Sequence, residues 1–304
     1  MTVRDGLHEL RRGDVALLAT PAFLDAARSL AHGPRDAWLA LAAPPRDAAA
    51  RAMRGGEAPG RAPVAVLAAR RASGRGGEDQ DEAHDEDGIE VSIVARAYAP
   101  GGLLARLRAR SLPTPARPLA ELRAHVALWH RGAPVAEPAF AVARRTARAR
   151  RWHAVVASVR IDDAAPPAPQ LRAATPDEVA RVAAAAGTAV RAFHDAGGRH
   201  ADLHLGNLLV DADGARAWVV DLDRAVAGAA PSPARRAREL ARLLRSLHKQ
   251  GLAERVGEAG TRAFAAAYLR GDDALGRALT RAWPRARAGV LLHRLGFALA
   301  RASR

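Results

Sequence analysis

The stretch HADLHLGNLLVDADGARAWVVDLD, His200 to Asp223, places an Asp two residues after a His, an Asn five residues after that Asp, and an Asp-x-Asp behind a strand-like run. Phosphoryl transfer calls for such a set: a carboxylate near the attacking hydroxyl, and hard oxygen ligands for a divalent cation that neutralises charge on phosphate oxygens. Asp202 suits the first role. Asn207 and Asp221 suit the second, because Mg²⁺ takes oxygen ligands and usually only one or two carboxylates from the protein.

These residues act together only if the flanking elements fold them to one place. Upstream, Thr175 can cap a helix that has Pro176 in its first position, Asp177 and Glu178 at its positive end, and Val179, Val182, Val190 and Phe193 on one side. Gly197 and Gly198 end it. LLV and AWVVDL flank the turn sequence DADG, which predicts a short hairpin returning Asp221 to the edge that holds Asn207. ARRARELARLLRSLHK and the tail beyond about Pro233 read as helices. Earlier in the chain, VAVLAAR (64 to 70), IEVSIVARAY (89 to 98) and two runs near 139 to 146 and 152 to 161 read as strands. A helix is expected over Leu119 to Trp129, with Leu122, Val126 and Trp129 at spacings of four and three. Thr20 and Pro21 mark a helix start, so residues 1–60 read as a helical extension followed by the linker RGGEAPGRAP. The Pro-rich DDAAPPAPQ reads as a connection between lobes. Strands first and helices later predict an α+β fold divided into 1–60, a β-rich N-lobe at 61–163 and a helical C-lobe at 164–304.

HADLHLGN followed by DLD resembles the kinase catalytic loop H-x-D-x-x-x-x-N and the metal-binding Asp of D-F-G. Within the kinase-like fold it is most similar to the lipopolysaccharide kinases, the family that includes 3-deoxy-D-manno-octulosonic acid (Kdo) kinases. DLDR in place of D-F-G and the helix ELARLLRSLHK resemble that branch. So do SGRGG at 73 to 77, VARAYAPGGLLARL at 94 to 107 and PLAELRAHVALWHRGAPVAEP. The likeness runs from about residue 64 to 250.

The resemblance implies a bilobal protein-kinase-like fold. It implies ATP and Mg²⁺ as cosubstrate and cofactor, with Asp202 orienting the acceptor hydroxyl and taking its proton. Asn207 and Asp221 would bind the metal, and Asp223 would be either a second metal ligand or the partner of Arg224. His200 is expected to hold the loop by hydrogen bonds, and His204 to face either substrate or solvent. Gly74 and Gly76 would let backbone N–H groups approach the nucleotide phosphates, and Glu121 would orient the cation that contacts them. That cation departs from the kinase pattern. Lys249 is the only lysine in the chain, so Arg96 stands where a lysine is expected, and the two are not interchangeable. The acidic run at 78–87 would repel a triphosphate and must point away from it; it does not have EF-hand spacing.

The implied activity is phosphorylation of a sugar hydroxyl of the lipopolysaccharide inner core, Kdo on a lipid A precursor, at the cytoplasmic face of the inner membrane. The partners are then an anionic lipid-linked sugar and an acidic membrane surface. A net charge of +15 fits such a partner, although Arg and Ala are abundant throughout. Other readings stay open: a core heptose kinase or another small-molecule kinase, or a nucleotide-binding pseudokinase suggested by the missing lysine. RNA binding is disfavoured, because the basic regions lack aromatic residues for base stacking and no RNA-binding module is recognisable. With no cysteine, disulfides and thiolate metal sites are excluded. The first residues lack a signal-peptide core, and no apolar run reaches the ~18 residues of a membrane span.

Overall fold

The computed structural model describes residues 2–4, 6–34, 38, 41, 64–72, 88–98, 111–146 and 151–302. The chain forms two compact units, Met1–Val126 with Glu137–Arg160, and Ala127–Ala136 with Ile161–Arg304.

The first unit is built on a seven-stranded sheet, all of whose pairings are antiparallel. Its strands are β1 (Thr2–Arg4), β2 (Leu7–Arg12), β3 (Val15–Ala19), β4 (Val64–Arg71), β5 (Ile89–Ala97), β6 (Pro138–Thr146) and β7 (Arg151–Val159), in the order β1-β2-β3-β6-β7-β5-β4. Helix α1 (Leu24–His32) closes one face over Leu17, Ala19, Phe140 and Val142. Helix α2 (Ala116–His130) closes the other, with Leu119, Leu122 and Val126 against Ala16, Leu18, Ala141 and Ala143.

The expected helical extension is therefore corrected. Thr2–Arg4, Leu7–Arg12 and Val15–Ala19 are three strands of this sheet, and only α1 and the 3₁₀ turn before it, Pro21–Phe23, are helical among the described residues up to 34. VALLA carries no polar residue because its two faces both meet core, which erases the alternation that marks a half-exposed strand. The pairing of Arg12 with Val15 leaves a two-residue loop, where Gly13 supplies the positive φ of 58° that such a hairpin needs. Trp129 is also not on the buried side of α2; it is 38% exposed.

In the second unit, Ala164–Ala165 forms β8 and Pro167–Ala173 forms α3. The Pro-rich segment read as the connection begins this unit, and its prolines stand at the start of a helix, where a missing N–H costs nothing. Helix α4 (Pro176–Asp195) follows with a full capping box, Glu178 N–H to Thr175 Oγ1 at 3.4 Å and Thr175 N–H to Glu178 Oε2 at 2.6 Å. Strands β9 (Gly198–His200), β10 (Leu208–Asp211), β11 (Ala217–Val219) and β12 (Ala225–Ala227) come next, then helices α5 (Pro233–Lys249), α6 (Ala253–Leu269) and α7 (Asp273–Ala302). Val179, Val182, Val190 and Phe193 of α4 are buried in the core of this unit. Helix α6 crosses α4 closely at Gly187, where an added Cβ would lie 2.5 Å from the Phe264 carbonyl oxygen. A sheet-rich unit followed by a helical one is the α+β arrangement that the order of elements predicted.

Candidate functional site

Two antiparallel pairings assemble the site. β9 pairs β12 with His200 opposite Ala225, so the loop after His200 and the turn before Ala225 leave the same end of one ribbon. β10 pairs β11 with Leu208 opposite Val219, and Val220 N–H donates to the Asn207 carbonyl at 2.9 Å. Asp202, Asn207 and Asp221 thus emerge from adjacent strand ends. At the far end of the ribbon, Gly197 has φ 84° and an added Cβ would sit 1.9 Å from the Gly228 oxygen, so only glycine lets β9 and β12 meet there. Arg131 Nη1 donates to the Ala196 and Gly228 carbonyls at 3.2 and 2.8 Å and ties the same junction.

His200 is fully buried and acts as a brace. Asp202 N–H donates to its Nδ1 at 3.2 Å, which puts the ring proton on Nε2, 3.2 Å from the Val220 carbonyl that accepts it. One imidazole therefore fixes both the loop that carries Asp202 and the residue before Asp221. Asn207 is buried, and its Nδ2 donates to the Asp202 carbonyl at 3.0 Å. That bond sets the amide orientation, and the amide oxygen is the end with the chemistry of a Mg²⁺ ligand.

Asp221 adopts φ 61° and ψ 63°, a left-handed conformation that Asp tolerates better than most residues and that recurs where a site constrains the backbone. Asp202 keeps about half of its side chain exposed, and His204 Nε2 lies 3.9 Å from its Oδ2. Asp223 and Arg224 follow in the 3₁₀ turn Leu222–Arg224, with Arg224 exposed. Among the described residues no group of three or more His, Asp or Glu could hold a metal ion. Asn207 and Asp221 could hold a Mg²⁺ that keeps waters and phosphate oxygens as its other ligands, since that metal needs few protein donors.

The sequence reading missed the residues that hold this loop from behind. Glu239 of α5 is buried, and its Oε2 accepts from His200 N–H at 2.9 Å and from His194 Nε2 at 3.2 Å. The other His194 nitrogen accepts from the Tyr268 hydroxyl at 2.7 Å. Burial pushes His194 below its ordinary value, against the pull of Glu239, and pushes the Tyr268 hydroxyl up to about 12. Two turns along α5, Ser246 Oγ accepts from Leu205 N–H at 2.8 Å and donates to the Leu243 carbonyl at 2.6 Å. A signal was present: Glu239, Leu243 and Ser246 follow one another at four and three residues, so a lone acid lies on the core-facing side of a helix.

In the first unit, Arg96 of β5 and Glu121 of α2 meet with Nη2 2.5 Å from Oε1, both largely buried. The Arg96 guanidinium also lies over the Tyr98 ring, 5.7 Å from its centroid. Gly74, Gly76, Gly101, Gly102 and the acidic run 78–87 lie outside the described residues. Arg96→Ala would remove the cation from a buried ion pair and lower stability by about 3–5 kcal/mol, whereas Arg96→Lys would lose much less. Urea unfolding of the two variants checks this; equal stabilities would show that the pair is not a buried ionic contact.

The family model of the lipopolysaccharide kinase (Kdo/WaaP) family matches residues 75–268. Proteins named 3-deoxy-D-manno-octulosonic acid kinase from Stenotrophomonas maltophilia strains K279a and R551-3 are each 34% identical over 175 residues, 58% of this chain and 59% of theirs. The chain thus spans less than two thirds of the length of these curated relatives. Among solved structures, "WaaP in complex with acyl carrier protein" gives a TM-score of 0.41 at 19% identity, covering 76% of this chain and 86% of that one. "Glucosamine kinase (crystal form B)" gives 0.39 at 16% identity, covering 93% and 86%. With the family match spanning more than half of the chain, the chain belongs to the lipopolysaccharide kinase (Kdo/WaaP) family.

Proposed function

We propose that the chain phosphorylates a sugar hydroxyl of the lipopolysaccharide inner core from ATP, with Kdo on a lipid A precursor as acceptor. The observation that carries this is the pair of strand pairings that gathers Asp202, Asn207 and Asp221 at one end of the second unit. The names of the curated relatives support Kdo as the acceptor.

Asp202 orients the acceptor hydroxyl and accepts its proton, the role open to a solvent-accessible carboxylate whose backbone is fixed on both sides. Asn207 Oδ1 and the Asp221 carboxylate would hold Mg²⁺, which when bound supplies charge neutralisation on phosphate oxygens. His200 takes no proton from substrate, since its ring nitrogens are committed to Asp202 N–H and the Val220 carbonyl. Arg96, steadied by Glu121, grips nucleotide phosphate in place of lysine. With a lipid-linked acceptor, the enzyme works as a peripheral protein on an acidic membrane face; no helix among the described residues is long and apolar enough to cross a membrane.

The absent lysine favours a second reading, a chain that binds ATP without turnover. Transfer of label from γ-labelled ATP with Mg²⁺ separates the two, using Kdo-lipid A beside heptose-bearing and aminoglycoside acceptors. Labelling of Kdo-lipid A alone is the expected result. Labelling only of another acceptor would reassign the substrate, and ATP binding without labelling of any acceptor would favour the second reading.

A further inference from the structure

Helix α5 carries a feature that catalysis does not use. Arg235, Arg238, Arg242, Arg245 and Lys249 recur at three and four residues along it. At about 100° per residue they share an arc of about 80° and a line of about 21 Å. The three at 235, 238 and 249 are exposed, and Arg242 and Arg245 are half-buried. None forms an ion pair with a described residue, whereas Arg11, Arg28, Arg71, Arg216 and Arg262 each pair with a carboxylate. The only acid on the helix is the buried Glu239.

We propose that this stripe is the surface by which the protein lies on an acidic phospholipid leaflet. A straight row of cations with no ion pair to a described residue complements a plane of negative headgroups rather than a single phosphate. Its arc borders the side of α5 that holds the catalytic loop, where Glu239 and Ser246 accept from His200 and Leu205. A leaflet against the stripe runs alongside the loop that carries Asp202, as an acceptor rooted in lipid requires. This deepens the kinase reading and rests on it for the acceptor, while vesicle binding is measurable whatever the chain phosphorylates.

The test is sedimentation of the full chain with vesicles of phosphatidylcholine alone or mixed with phosphatidylglycerol, at low and high salt. Each cation adds about five-fold to partition onto an acidic leaflet. Replacing Arg235, Arg238, Arg242 and Arg245 together by Gln is therefore expected to weaken binding to the acidic vesicles by about 10²-fold or more. The same four changed to Lys keep native binding, which also guards against a folding defect. A control with Arg277, Arg281, Arg285 and Arg287 of α7 changed to Gln removes equal charge from exposed positions on another helix and keeps native binding. The proposal is overturned if the α5 Gln variant binds as the native chain does, or if the α7 control loses as much. It is also overturned if vesicle binding is unchanged while KM for the acceptor rises, which would assign the stripe to the sugar substrate. Intact, stripe-dependent vesicle binding with no transfer to any acceptor would sink the kinase reading and leave this one standing.

Discussion

Asp202→Asn is expected to lower kcat for phosphoryl transfer by about 10²–10⁴ while leaving the fold and ATP binding in place. The bonds that fix this residue run through its backbone: its N–H donates to His200 Nδ1 and its carbonyl accepts from Asn207 Nδ2. Its carboxylate is half exposed, so an isosteric amide disturbs little besides the capacity to take a proton. Asp221→Asn is the companion variant; it keeps the shape of a residue that stands in the left-handed region but removes the carboxylate charge expected to hold Mg²⁺. Label transfer from γ-labelled ATP, with nucleotide affinity and thermal unfolding measured beside it, reads both. Native turnover in Asp202→Asn would remove Asp202 from the chemistry. A collapse of the melting transition would make its role structural.

Glu239→Ala should be strongly destabilising to the second unit. It leaves the His200 N–H and the His194 Nε2–H without their acceptor inside the core, at about 1–3 kcal/mol for each orphaned donor, and adds a cavity. A loss of about 2–5 kcal/mol in urea unfolding, together with a fall in kcat at temperatures where the variant is still folded, is the expected pair of results. Glu239→Gln keeps an acceptor oxygen and should fall between. A native-like unfolding midpoint in Glu239→Ala would mean that the loop does not hang from this carboxylate.

The same network sets a pH dependence. Burial holds His194 below its ordinary 6.5, so the folded state binds fewer protons there than the unfolded chain does. The stability it supports is complete above about 6.5 and is lost as pH falls below it toward the folded value. The difference in melting temperature between the native chain and His194→Gln, followed from pH 8 to pH 5, isolates this contribution.

Much of the catalytic arrangement was legible in local patterns. The capping box at Thr175 and Glu178, the DADG hairpin and the interval from Asp202 to Asn207 each depend on residues a few positions apart, where caps, turns and pairing registers operate. The N-terminal strands were hidden for a physical reason: VALLA is covered on both faces, so a buried strand and a buried helical segment look alike in its composition. Arg96 and Glu121 could each be named, but nothing in their 25-residue separation required them to touch.

The sequence by itself determined the order of groups around the loop, because a single hairpin returns the second carboxylate, Asp221, to the edge that holds the amide of Asn207. Only the tertiary structure decided what supports them. Glu239 lies 39 residues from the His200 N–H it accepts from, and Tyr268 lies 74 residues from His194. Whether such a polar group is buried and paired depends on which distant helix covers it. That is settled when α5 and α6 pack into the core, and no local spacing encodes it.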